Sequence, residues 1–290
     1  RRLFPAKIKK TGREAWSTSE IKMMLEATTS IRNKALILVL ASSGIRIGAL
    51  EEFYMRNMID MPLQCKSLLI YEESIEEYVT FITPETSEML EKYITQRKSD
   101  GEIITGNSPI FRTSYANGAG NVKGITVRGA SETIKRILEK AGLRDKNSKK
   151  RGRFDKMADH AFRKRFVTTL KSNPDIPTSQ VEKMVGHQVY NDEDSNTILL
   201  DGAYNVPTSE VLFNAYKHAI PELTISDYTR VRIKESEINK QFSALQIEKQ
   251  KHFDEKKKWY KTIIKKAQTD GKIPEWLRPV MDDMIQEFES

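Results

Sequence analysis

A chain of 290 residues with 38% hydrophobic and 8% aromatic content is long enough for one large core or two ordinary ones, and its 30% charged fraction argues against disorder and for a soluble protein. Cys65 is alone, which excludes a disulfide framework and a cysteine-based zinc site and fits a reducing, intracellular setting; no apolar run reaches the length of a membrane span. The net charge of +8 is concentrated between Arg144 and Arg165, where ten Lys/Arg face three Asp, a patch that suits a polyanion because neutralised phosphates release counterions.

Taken in chain order, residues 1–16 have no apolar period and read as a linker. "STSEIKMMLEA" follows, with Ser17 or Ser19 as cap and Glu20 completing a capping box. "NKALILVLASSGIRIGALEEF" predicts a buried helix, a Ser-Ser-Gly break and a second helix start. "SLLIYEES" and "EEYVTFIT" are rich in β-branched and aromatic residues and flank a polar turn, as a hairpin does. Pro84 opens a helix that stops at Gly101, with Lys/Arg near its end. "NSPIFRTSYANGAGNVKG" is a loop with a short extended piece, and helices are expected over 130–142, 158–172 and about 178–186. After Ile225 the text becomes densely charged and lacks glycine and proline as far as Gln268. Ile238, Phe242 and Leu245 begin a 4–3 spacing there that falters at Lys249 and resumes near Tyr260 and Ile263, predicting a long helix or a short coiled coil. A final acidic piece, "IPEWLRPVMDDMIQEFES", is suited to docking back or to binding another subunit.

"HAFR" sets His160 and Arg163 on one helical face. Alone, the pair is ordinarily a capped or salt-bridged feature of a basic helix. Three further pieces change its meaning: "SSGIRIGAL" with Arg46 after a glycine turn, "MVGHQ" with His187 behind a glycine, and "DGAYNVPTSEVL" with Tyr204 before a new helix. This order, Arg … His-x-x-Arg … Gly-His … Tyr, resembles the tyrosine recombinase (phage integrase) family. The flanking "EEYVTFITPE", "SPIFR" and "YNVPTSEVL…YKHAIPELTI" look most like its archaeal branch.

The resemblance covers about residues 15–225. It implies a tyrosine recombinase catalytic domain (17–225), mainly α with a small antiparallel β-sheet; the linker (1–16) and the long helical C-terminal extension (226–290) are read from the residue pattern and lie outside the resemblance. Its functional implication is a site-specific DNA recombinase that cuts and rejoins strands through a 3′-phosphotyrosine. Arg46 and Arg163 would grip the phosphate oxygens, His160 and His187 would donate to phosphate or carry protons, and Tyr204 would be the nucleophile. No cofactor and no metal are expected. The expected partner is double-stranded DNA, bound by a homo-tetramer in the cytoplasm, at the nucleoid, with no membrane. A binding-only relative and a type IB topoisomerase-like enzyme are the rival readings.

The match departs from the family pattern in four places. The family's usual spacing from Gly-His to nucleophile falls on Asn196, so Tyr190 and Tyr216 compete with Tyr204; "QVYNDEDSNTILL" reads as a tolerated insertion, and Tyr216 has the apolar neighbours of a core residue. The lysine usually found in the hairpin turn as general acid is absent from "YEESIEEY", and neither Lys66 nor Lys123 matches by local pattern. Ala49 stands where the family often has an acid that orients the first arginine, a task left to Glu51 or Glu52. The catalytic part also begins almost at once, where most recombinases carry an N-terminal domain that closes a clamp on DNA. The resemblance therefore implies a truncated or naturally split chain with weaker DNA binding.

Overall fold

The computed structural model describes residues 14–113, 122–144, 154–187 and 207–269, with Glu275 and Pro279. Helix α1 (Thr18–Glu26) starts at the expected box: the Ser17 hydroxyl accepts the Glu20 N–H while the Glu20 carboxylate accepts the Ser17 N–H at 2.8 Å. Helix α2 (Ile31–Ser43) is buried on all sides from Ala35 to Ser43, which is why its sequence shows a continuous apolar run and no stripe. Gly44, at φ 62°, caps it in the left-handed region. The second helix start is realised as a six-residue 3₁₀ turn, Ile47–Glu52.

Strands β1 (Met58–Met61), β2 (Cys65–Ile70) and β3 (Tyr78–Ile82) form one antiparallel sheet in that order. The hairpin pairs Lys66 with Ile82 and Ile70 with Tyr78. Helix α3 (Pro84–Ser99) carries Thr83 as N-cap and packs with α1 on α2. Its Arg97 is fully buried and fully satisfied: it is paired with Glu102 and donates to the carbonyls of Pro109 and Ile110, both at 2.8 Å. A charge there is tolerable because each donor has an acceptor. Helix α4 (Val127–Lys140) begins under two acceptors, since Thr126 takes the Gly129 N–H and Glu51 takes the Val127 N–H at 2.6 Å.

Helices α5 (His160–Ser172) and α6 (Thr178–Met184) bring the basic motif and the Gly-His turn against α2 and β3. Helix α7 (Ser209–Tyr216) and the single turn α8 (Ile220–Leu223) close the core. Glu85 then accepts the N–H groups of Ile225 (2.7 Å) and Ser226 (2.9 Å), anchoring the chain just before α9 (Asp227–Thr269). The chain divides after Val231 into two compact units. In the second, Ile238, Phe242, Leu245, Ile247 and Trp259 of α9 are all exposed. Among the described residues no helix is long and apolar enough to cross a membrane.

Cys65 is 1% exposed, and burial pushes its thiol up to about 12. The folded state therefore favours the protonated thiol. The stability gained in this way is complete below the thiol's ordinary value and is lost as pH rises from about 9 towards 12. Iodoacetamide is expected to leave the native thiol unmodified at pH 8 and to alkylate it fully in guanidinium; rapid native alkylation, read by mass spectrometry, would contradict this.

Candidate active site

The site is assembled where α2 ends, α5 begins and α6 ends. Arg163, one turn into α5, is 5% exposed and ties two helix ends together. Its Nη1 donates to the Gly44 carbonyl at 2.9 Å, and its Nη2 donates to the Val185 carbonyl. Both are carbonyls that a terminating helix leaves without an intrahelical donor. Arg46 leaves the Gly44 cap in an extended conformation and donates from Nη2 to the next carbonyl along, Gly186, at 3.3 Å. The two guanidinium groups thus meet on consecutive peptide oxygens. Burial lowers the Arg163 pKa; Tyr78 counters this and the Arg46 charge adds to it.

Gly186 sits at φ 60°, and a Cβ placed there would lie 2.3 Å from the Tyr78 ring. The ring therefore packs directly on the turn that carries the two carbonyls. Its hydroxyl is enclosed, with Arg163 as polar neighbour at a geometry short of a full hydrogen bond. Burial raises the Tyr78 pKa, opposed by Arg163 and Arg46. Tyr71, in the hairpin turn at φ 55°, meets Tyr78 edge-on at 6.3 Å.

His187 follows Gly186, exposed, with Nδ1 on the Glu182 carboxylate, which also pairs with Lys171. Burial pushes the Glu182 carboxyl up, but Lys171 and His187 outweigh it and hold it below its ordinary value. His160 is the first residue of α5, exposed and one turn before Arg163. The structure therefore brings Arg46, Arg163 and His187 to one turn and keeps His160 on the Arg163 face of α5.

Tyr204 and its rival Tyr190 lie outside the described residues. Tyr216 is fully buried between Phe81 and Phe166 and donates to the Ser42 carbonyl at 3.0 Å, with burial raising its pKa well above the ordinary value. That places it in the core. Glu51 is taken up in capping α4, and the carboxylate that pairs with Arg46 is Glu76 of the hairpin turn, at 3.5 Å. Lys66 is held by Asp60 and by Glu91 (3.0 Å), and Lys123 is exposed. Sequence reading does not single out Tyr78, Glu76 or Glu182; of these, only Glu182 offers a local signal, a carboxylate five residues before His187 on the helix that ends at the Gly-His turn.

The model of the phage integrase family matches residues 16–192. The chain belongs to the phage integrase family. As a member of this family it has the fold expected of a tyrosine recombinase catalytic domain, mostly helical with a small three-stranded antiparallel sheet. The integrase from mycobacterium phage Brujita shares that fold at 15% identity, with a TM-score of 0.50, covering 80% of this chain and 67% of its own. The XerA recombinase is 19% identical with a TM-score of 0.47, and the XerH recombinase bound to its difH substrate is 19% identical with a TM-score of 0.46. Their alignments cover 74% and 63% of this chain, which spans 66% of XerA and 50% of XerH. No curated protein sequence matches the chain.

Proposed function

We propose that this phage integrase family member is the catalytic domain of a site-specific DNA recombinase, of the archaeal kind its motif text resembles. The observation that carries this reading is the meeting of Arg46 and Arg163 on the adjacent carbonyls of Val185 and Gly186, beside His187. An incoming phosphodiester would replace the Glu76 carboxylate on Arg46. Its non-bridging oxygens would take the guanidinium donors, which stay charged at any working pH and match the negative charge that grows at phosphorus. His160 and His187 would donate to the same oxygens or carry protons, Glu182 orienting His187 through Nδ1.

Tyr204 would give up its phenolic proton and attack phosphorus, expelling the 5′-hydroxyl strand and leaving a 3′-phosphotyrosine. Return attack by a 5′-hydroxyl restores the tyrosine and the DNA. The ester energy is kept, so neither nucleotide nor metal is required. Two duplexes cut twice call for four active sites, hence a tetramer on DNA. The expected setting is the cytoplasm, at the nucleoid when DNA is bound.

A second reading, a binding-only relative, is favoured by one feature: the hairpin turn holds Glu72, Glu73, Glu76 and Glu77 and no lysine, while Lys66 is engaged elsewhere. The test is a nicked duplex that traps cleavage, selected by the protein from a random-sequence pool and read as an SDS-resistant adduct. Wild type is expected to form the adduct and Tyr204→Phe to lose it. An adduct that survives the substitution moves the nucleophile elsewhere. Tight binding without adduct selects the second reading, and site-independent relaxation of plasmid selects a topoisomerase.

A further inference from the structure

At the other end of α2 from the Arg46–Arg163 pair lies a cavity of about 340 Å³. Gly44 and Arg32 are separated by nearly the whole helix, about 18 Å at 1.5 Å per residue. The cavity is bounded by the α1–α2 junction, α3, the segment at Arg112 and one face of α4. Arg32, Arg112, Arg136 and Lys140 all line it, with Thr28 and Asn33 as polar neighbours, and among the described residues no Asp or Glu does.

Arg112 is neutralised by Asp100 and Glu102. Arg32, Arg136 and Lys140 have no carboxylate partner among the described residues. Arg136 and Lys140 stand four apart on α4, a spacing at which like charges repel. The Nε of Arg32 is enclosed without an acceptor, and its Nη1 reaches only the Asn33 side chain, at 3.3 Å. Burial lowers the Arg32 pKa; Tyr93 counters this, and the Arg136 and Arg112 charges add to it. The arrangement leaves the enclosed Arg32 Nε without an acceptor beside two exposed cations, and an anion seated among them would satisfy that donor and face three positive charges.

We infer that this cavity is a second phosphate-binding site, distinct from the Arg46–Arg163 pair, which takes a multiply charged phosphate group such as a pyrophosphoryl unit or backbone phosphates of a DNA strand. The donor set is suited to phosphate: guanidinium forks from two elements, a lysine as point charge, and a hydroxyl. Among the described residues no free aromatic face is offered to a base, because Tyr93, the aromatic residue lining the cavity, is 2% exposed and stacks on Phe111.

The experiment uses the full chain, calorimetric titration with inorganic pyrophosphate at constant ionic strength, and the double substitution Arg136→Gln, Lys140→Gln. Both side chains are exposed, so the variant is expected to keep the wild-type fold by circular dichroism. Lys140→Gln alone serves as a milder second variant. Pyrophosphate affinity is expected to fall at least about tenfold in the double variant and partly in the single one. A parallel arm measures duplex affinity against salt. A slope reduced by about two in the double variant identifies DNA backbone as a source of the phosphate, and an unchanged slope with lost pyrophosphate binding identifies a free anion. Pyrophosphate titrations and salt slopes that are both the same in wild type and double variant overturn the inference.

Discussion

Arg163→Ala is expected to destabilise the protein by about 3–5 kcal/mol and to abolish adduct formation, whereas Arg46→Ala should abolish adduct formation at almost no cost in stability. The difference follows from burial. Arg163 is 5% exposed and supplies the donors for Gly44 at the end of α2 and Val185 at the end of α6. Its removal leaves two carbonyls dry and unpaired, at roughly 1–3 kcal/mol each, and opens a cavity besides. Arg46 has a side chain 38% exposed, and its contacts to Glu76 and Gly186 are long, so water replaces them readily. Arg163→Lys keeps the charge, but a single ammonium does not replace a fork that spans two carbonyls, so an intermediate stability and little activity are expected. Urea midpoints and adduct yields measured on the same preparations separate the two arginines. Equal stabilities for Arg163→Ala and Arg46→Ala would show that Arg163 does not join the helix ends.

What the sequence disclosed was local. The Ser17–Glu20 box, Pro84 at the head of α3 and the left-handed stop after Ser43 are each decided within a few residues, and each stands where its chemistry predicts. Arg46, His160–Arg163 and His187 can be picked out in order because each sits in a short local pattern: an arginine after a glycine break, a His-x-x-Arg on one helical face, and a histidine after a glycine. What the polar groups do to one another is not legible in this way. Gly44, Arg163 and Val185 lie far apart in sequence, so the bonds between them depend on how α2, α5 and α6 pack. Glu51 reads equally well as a partner for Arg46 or as a cap, and only the approach of α4 decides for the cap. Strand β1 was missed because Met58–Met61 has four residues, none of them fully buried, and carries neither the alternation nor the β-branched content that marks an inner strand. Tyr78 looked like a strand residue and is one; its second role, as a wall for Gly186, arises from the α6–β3 contact.

Gly186→Ala is expected to be the most damaging change of a single atom group in the site. Two effects add. At φ 60° an alanine meets the left-handed penalty of about 1–2 kcal/mol, and its Cβ would lie 2.3, 2.7 and 2.9 Å from three atoms of the Tyr78 ring. That ring is 7% exposed and begins β3, so it has little freedom to retreat, and overpacking of this kind costs about 1–3 kcal/mol. The turn must move instead. It carries the Val185 and Gly186 carbonyls that hold the two guanidinium groups, and His187 behind them, so a shift of about 1 Å is expected to cost on the order of 10²-fold in adduct formation. Gly101→Ala supplies the control, because Gly101 shares the left-handed conformation at φ 86° with nothing within 4 Å of a new Cβ. It should show the backbone penalty alone and keep full activity. Trimming the ring in the Gly186→Ala background, by Tyr78→Leu, should recover part of the lost stability, since the two residues touch and their effects are not additive. A Gly186→Ala protein no less stable than Gly101→Ala, and as active as wild type, would mean that Tyr78 yields and that the turn holding both arginines is not confined by it.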